Sequence, residues 1–203
     1  MPYLDIFPLA VSADSIAREF TEEEHKLVQA EYQSAMNNIS NLMGADQYVL
    51  NRPEFADIRE FIQEKIDNYL HEVYAPKNDL KIYITQSWLS WLQPGQEFHK
   101  HYHQNSLVSG CLYLNADRNQ DAFKLHKEEY QQIYIPVDNE KLNKWNTQVA
   151  TIPVNTGDLI LFPSKLHHSV SPTQGEHIRT TLAFNTFIKG SIKEGFHLLD
   201  LDL

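Results

Sequence analysis

Ten histidines stand in this 203-residue chain, and their spacing is uneven. Three fall within the run His99-Lys100-His101-Tyr102-His103, and two more are adjacent in Lys165-Leu166-His167-His168-Ser169-Val170. On a strand, residues i and i+2 project to the same face with Cα atoms about 6.6 Å apart, close enough for two imidazoles to meet on one ion. Residues i and i+4 stand about 13 Å apart by the same rise and do not. One adjacent pair of the run therefore reaches a shared cation, and the third ligand comes from a distant strand. His168 is the natural candidate: it follows an apolar strand over Asp158 to Phe162 and opens a short strand running to Pro172. Three protein ligands on one side of an ion leave open positions on the other. Such a facial site suits Fe(II) that must also hold a co-substrate and O₂.

A second reactive feature lies eleven positions after His168. Arg179 sits in the strand Arg179-Thr180-Thr181-Leu182-Ala183-Phe184-Asn185, on the inward face it shares with Thr181. A buried guanidinium needs a carboxylate or a strong hydrogen-bond network, and no partner for it is obvious in the neighbouring sequence. A ligand carboxylate is the expected partner, read jointly by Arg179 and Thr181, with an internal salt bridge as the alternative.

These side chains need a scaffold. Residues from Ala13 to Leu70 read as helical, with Ser12 and Asp14 as a cap, a second cap at Thr21 before Glu22-Glu23-Glu24, and apolar residues at helical spacing over Glu24 to Met43 and again over Pro53 to Tyr74. From Leu80 the pattern changes to short strands: Lys81 to Trp91, which alternates, and then Leu107 to Leu114, Gln148 to Pro153, Asp158 to Phe162 and Ile178 to Phe187. Turn signals at Pro94-Gly95, Asn155-Thr156-Gly157 and Pro172 to Gly175 separate them. Residues Lys127 to Asn146 are polar and aperiodic, and read as a long insertion over the site with Trp145 as a lid contact. The expected fold is mainly β with N-terminal helices (α+β), a double-stranded β-helix or jelly roll of cupin-like form. It forms one domain, with 1–79 as helical support and 80–190 as the catalytic core.

Composition narrows the class. A formal net charge of −10 disfavours nucleic acid as a partner. The single cysteine, Cys111, excludes an internal disulfide and reads as a small buried strand residue in a chain of a reducing, cytoplasmic compartment. Acidic Asp5 and the lack of a basic n-region argue against a signal peptide, and no apolar stretch approaches a membrane span.

Several motifs occur in a fixed order: Ser87-Trp88, Pro94-Gly95, His101-Tyr102-His103, Ser109-Gly110, Tyr113-Leu114-Asn115, Gly157, Phe162-Pro163-Ser164, His168, Arg179 and Phe184-Asn185. In this order they resemble the 2-oxoglutarate/Fe(II)-dependent oxygenase superfamily, and within it a bacterial and phage subgroup. Ile6-Phe7-Pro8 resembles that subgroup's opening. The resemblance covers Trp88 to Phe187 and only loosely the helical half. It implies Fe(II) and 2-oxoglutarate as cofactors, with His101, His103 and His168 as metal ligands. Arg179 takes the position that binds the far carboxylate of 2-oxoglutarate, and Tyr113, Thr181 and Asn185 take positions along the co-substrate pocket. The implied reaction is dioxygenation, a hydroxylation coupled to conversion of 2-oxoglutarate into succinate and CO₂. His103 is a departure, because most of the superfamily has Asp or Glu there. A neutral imidazole leaves the cation one charge more positive, and His99 with His101, or Glu97 as an anionic ligand, are the alternative sets.

Two other function classes are compatible with the residues. One is a three-histidine cupin-type dioxygenase that needs no 2-oxoglutarate, with Arg179 on a substrate carboxylate. The other is a non-catalytic metal- or metabolite-binding jelly roll, in which zinc is the expected ion. Trp88 and Trp91 read as core residues, His99 as exposed or supporting, and His167 as facing away from its neighbour. His25, His71, His126, His177 and His197 read as surface residues without partners. The substrate is expected to be a small molecule or a peptidyl side chain, and an aromatic-rich strand edge is compatible with a homodimer.

Overall fold

The structure is a computed structural model that describes residues 3–128 and 135–192 in full, and the backbone of 201–202. Two antiparallel sheets and two helices make up its layers. The chain runs β1 (Ser12–Ser15), α1 (Glu22–Gln33), β2 (Met36–Asn37), β3 (Leu42–Met43), α2 (Ala56–Tyr69), β4 (Lys81–Leu92), β5 (Phe98–His101), β6 (Val108–Asn115), β7 (Ala122–His126), β8 (Val149–Pro153), β9 (Asp158–Pro163), β10 (His168–Val170) and β11 (Arg179–Lys189). A further short pair, β12 (Ser191–Ile192) and β13 (Leu201–Asp202), follows. The large sheet has the order β1-β9-β6-β11-β4-β3-β2, and the small sheet β5-β10-β7-β8. Facing sheets of this kind form the double-stranded β-helix.

Each long strand of the large sheet alternates, so its two faces have different partners. One face packs on the helices. Ile58, Ile62 and Ile66 repeat at helical spacing along α2 and meet Leu89, Leu112, Leu182 and Phe184, all fully buried. Each such side chain contributes about 2 kcal/mol of hydrophobic stabilisation. Gly110 in β6 has no room for a side chain, since a Cβ there would overlap the Phe184 ring. The other face turns toward the small sheet, where Tyr113, Ile160 and Phe162 pack against Phe123 with Val154 and Leu166. α1 opens on a capping box in which the Thr21 hydroxyl accepts from the Glu24 N–H and the Glu24 carboxylate accepts from the Thr21 N–H.

The helical reading of the N-terminal half is corrected in two places. Ser12 to Ser15, expected as a helix cap, pair with Asp158 to Leu161 as the edge strand β1. α1 stops at Gln33, and the β2–β3 hairpin follows, joining the large sheet where Leu42 and Met43 pair with Trp91 and Ser90. The polar run Asn37-Asn38-Ile39-Ser40-Asn41 favours a turn, and the exposed edge of β4 supplies the pairing that sequence periodicity does not see. β7 has no counterpart among the strands expected from sequence. Among the described residues no helix is long and apolar enough to cross a membrane.

Candidate metal centre

The histidine run and His168 meet because of strand register. β5 and β10 are antiparallel neighbours in the small sheet, with His101 directly opposite His168. His103 lies two residues on, in the segment leaving β5, where its backbone N–H donates to Ser164 O at 2.9 Å. The ring centroids lie 4.2 Å apart for His101 and His168, 4.9 Å for His103 and His168, and 5.3 Å for His101 and His103. One nitrogen from each ring falls within 4.8 Å of the others, and among the described residues these three form the group of His, Cys and acidic side chains able to share an ion. Among the described residues neither alternative set joins the cluster: Glu97 is exposed, and the His99 ring packs on Phe98 with its centroid 5.4 Å from that of His101, while the His99 carbonyl accepts from His101 Nδ1 at 2.9 Å.

The other two Nδ1 atoms are engaged as well. His168 Nδ1 faces Leu166 O at 3.0 Å, and His103 Nδ1 faces Ser109 Oγ at 2.8 Å. The two carbonyls hold His101 and His168 Nδ1 as donors and leave their Nε2 lone pairs for a cation, the arrangement that outer contacts impose on ligating histidines, while the Ser109 hydroxyl beside His103 can give or take a proton. Burial pushes the His103 ring down to about 4 and the His168 ring down to about 3, and it lowers His101 too. All three are therefore neutral near pH 7, the form that binds a metal. The chemistry of this donor set fits a divalent transition metal.

The rings border a cavity of about 280 Å³ between the sheets. Its floor follows the large sheet in rows, since Thr181 pairs with both Tyr113 and Ser90, and Ala183 with both Cys111 and Trp88. Arg179, Thr181 and Tyr113 line this cavity. Tyr113 Oη and Arg179 Nε are buried and have no hydrogen-bond partner within the protein. Such atoms cost about 1–3 kcal/mol each unless a ligand satisfies them. A dicarboxylic acid that reaches a guanidinium edge and a phenol fits this end of the cavity. Cys111 also lines it, and burial pushes its thiol up to about 11.

The internal salt bridge weighed as the alternative for Arg179 is present. Asp121, in the turn before β7, accepts from Arg179 Nη1 at 3.3 Å, with both side chains wholly buried. The same carboxylate accepts from Thr173 Oγ1 at 2.9 Å and meets His177 Nε2 at 2.6 Å, so His177 is not a surface residue without a partner. Arg179 Nη2 donates to Ser171 O at 3.1 Å. Burial lowers the guanidinium from its ordinary value, while Tyr113 and Asp121 act in the opposite direction. Asp121 lies far from Arg179 in sequence, in a polar turn where an Asp is unremarkable, so no local signal marked it.

Other sequence expectations are also corrected. Asn185 does not line the cavity; its Oδ1 accepts from Ser109 Oγ at 2.8 Å. Trp91 is buried as expected, but Trp88 lines the cavity with its ring 6.0 Å from His103. Trp145 lies away from this cavity, against Tyr3 at 6.1 Å. His126 Nε2 meets Ser169 Oγ at 2.8 Å, whereas His25 is exposed, and His197 lies outside the described residues. His167 faces Tyr102, with ring centroids 4.7 Å apart.

Comparisons with known proteins agree with this geometry. Residues 86–185 match the family described as "Putative 2OG-Fe(II) oxygenase". No curated protein matches the chain. Among solved structures, a Pseudomonas putida prolyl-4-hydroxylase is 13% identical with a TM-score of 0.54, over 87% of this chain and 92% of that one. HygX from Streptomyces hygroscopicus, with nickel, 2-oxoglutarate and hygromycin B bound, is 12% identical with a TM-score of 0.55, over 88% of this chain and 82% of that one. A Trichoplax adhaerens prolyl hydroxylase in complex with a hypoxia inducible factor peptide is 14% identical with a TM-score of 0.56, over 87% and 83%. At these identities the structural likeness speaks to the fold.

Proposed function

The chain belongs to the 2OG-Fe(II) oxygenase family, and from that premise we propose that His101, His103 and His168 hold the iron while Arg179, Tyr113 and Thr181 receive 2-oxoglutarate. The protein is an Fe(II)- and 2-oxoglutarate-dependent dioxygenase. When bound, the metal and co-substrate supply the oxidising chemistry. The chain supplies placement. Three neutral imidazoles present bare Nε2 atoms to the cation, and the Arg179 guanidinium and Tyr113 hydroxyl meet the far carboxylate. The observation that carries this reading is the convergence of three imidazole nitrogens on a cavity that also holds unpartnered donors of Arg179 and Tyr113.

The wall built by the β2–β3 hairpin, the segment that follows it and β4 bears on the substrate. It presents Asn38, Asn41, Gln47 and Gln86 with Met43 and the Trp88 ring, and no formal charge. A neutral, hydrogen-bonding substrate suits it, either a small molecule or a peptidyl side chain. The net charge of −10 and the single cysteine favour a cytoplasmic protein that does not act on nucleic acid.

Anaerobic addition of Fe(II) and 2-oxoglutarate tests the site through the visible charge-transfer band of the chelate. Replacing His168 by Ala is expected to abolish the band. Replacing Arg179 by Met is expected to weaken co-substrate affinity and leave the metal bound. A normal band in the His168 variant removes that residue from the ligand set. The Arg179–Asp121 contact also favours a second reading, a three-histidine dioxygenase in which the guanidinium is already satisfied and 2-oxoglutarate is not used. O₂ consumption without succinate formation from added 2-oxoglutarate distinguishes it.

A further inference from the structure

We propose that Ser109 and Asn185 are positioning residues for the metal centre, fixing the tautomer of His103 so that Nε2 is always the bare nitrogen. The inference rests on the assignment of His103 as a ligand made above.

A neutral imidazole carries one proton, and only the Nδ1–H tautomer leaves Nε2 free. For His101 and His168 the choice is forced, because each Nδ1 faces a backbone carbonyl that has only lone pairs. His103 is different. Its Nδ1 faces a hydroxyl, Ser109 Oγ, which can donate or accept. The hydroxyl alone leaves the tautomer undecided, and an Nε2–H ring would present a proton to the cation.

What surrounds Ser109 decides it. Its Oγ lies 2.8 Å from Asn185 Oδ1, an acceptor that takes the single hydroxyl proton. On its other side Ser164 Oγ lies 2.7 Å away, and Ser164 in turn donates to Ser106 Oγ at 2.7 Å. Ser106 sends its own proton to Thr186 O at 3.1 Å. Asn185 Oδ1 takes the single Ser109 proton, so Oγ is left to accept from His103 Nδ1–H. Ser109 and Ser164 are wholly buried, where water cannot scramble the order. Asn185 stands where the β11–β4 register shifts, the kind of irregularity that re-aims a side chain. Three motifs without a role in ligand binding, Ser109-Gly110, Phe162-Pro163-Ser164 and Phe184-Asn185, thus converge on one network.

The test uses the full chain stripped of metal. Zn(II) is titrated in competition with a chromophoric chelator, and the protonated nitrogen of His103 is read by long-range ¹H–¹⁵N NMR. Wild type is expected to show Nδ1–H. Ser109→Ala and Asn185→Ala are expected to mix the tautomers and weaken Zn(II) binding by about 10–100-fold, the usual effect of losing an outer partner. Asn185→Asp keeps the acceptor and is expected to bind Zn(II) at least as well as wild type. Wild-type affinity and tautomer in both alanine variants overturns the proposal, as does equal loss in Asn185→Asp and Asn185→Ala. Thermal unfolding checks each fold, and the Asn185 pair carries the test should Ser109→Ala fail to fold. Absence of Zn(II) binding by wild type removes the ligand assignment itself, and this inference with it.

Discussion

The two ends of the cavity hold their key side chains by opposite means. At the histidine end, three imidazoles are braced by two carbonyls and a hydroxyl, with no acid in the cluster. At the arginine end, a wholly buried guanidinium is braced by a wholly buried carboxylate, with Thr173 and His177 on the same acid. The first end adds no negative charge to a bound cation, so an anionic co-substrate meets more positive charge there than a carboxylate ligand would leave. The second end is partly neutralised before any ligand arrives. Anion affinity in this protein is therefore expected to lean on the metal more than on Arg179.

The largest effect is expected from breaking the charged brace. Asp121→Asn leaves the Arg179 cation buried without its counter-charge, and such changes cost about 3–5 kcal/mol of stability. Urea unfolding measures it, and a wild-type midpoint would show that the Arg179–Asp121 pair does not form. The neutral end gives a smaller, pH-dependent effect. Folded His103 and His168 titrate at about 4 and about 3, whereas an unfolded imidazole titrates near 6.5. Protons then bind the unfolded chain first. The metal-free protein keeps its full stability above that ordinary value and loses it as pH falls toward the two depressed values. A His103→Asn, His168→Asn variant is expected to show a shallower decline in Tm over the same range, and an unchanged slope contradicts the burial of neutral rings. The smallest effect is expected from Trp145→Ala. That residue touches neither end, so stability should change by less than about 0.5 kcal/mol and the charge-transfer band should persist. Loss of the band would return Trp145 to the role of a lid.

Much of the scaffold was legible in the residues. Strands β4, β6, β9 and β11 could be read directly because each is a run of apolar, aromatic and β-branched residues bounded by turn signals, and β6, β9 and β11 are buried on both faces. β7 and the β2–β3 hairpin escaped because short segments acquire strand character only from the edge that pairs with them. At the site, the spacing of the histidine run and the position of His168 identified a cluster by composition alone. Which pair of the run takes part depends on where β5 ends and on its register with β10.

The amino-acid sequence by itself determined the residue types: an imidazole-rich donor set, one guanidinium on an inward strand face, and short strands to carry them. Tertiary structure alone decided the partners. Asp121 reaches Arg179, and Asn185 reaches Ser109, only through antiparallel pairings between segments far apart in the chain. Hydrogen bonds act over about 3 Å, and contacts that short between distant segments exist only once the sheets have formed.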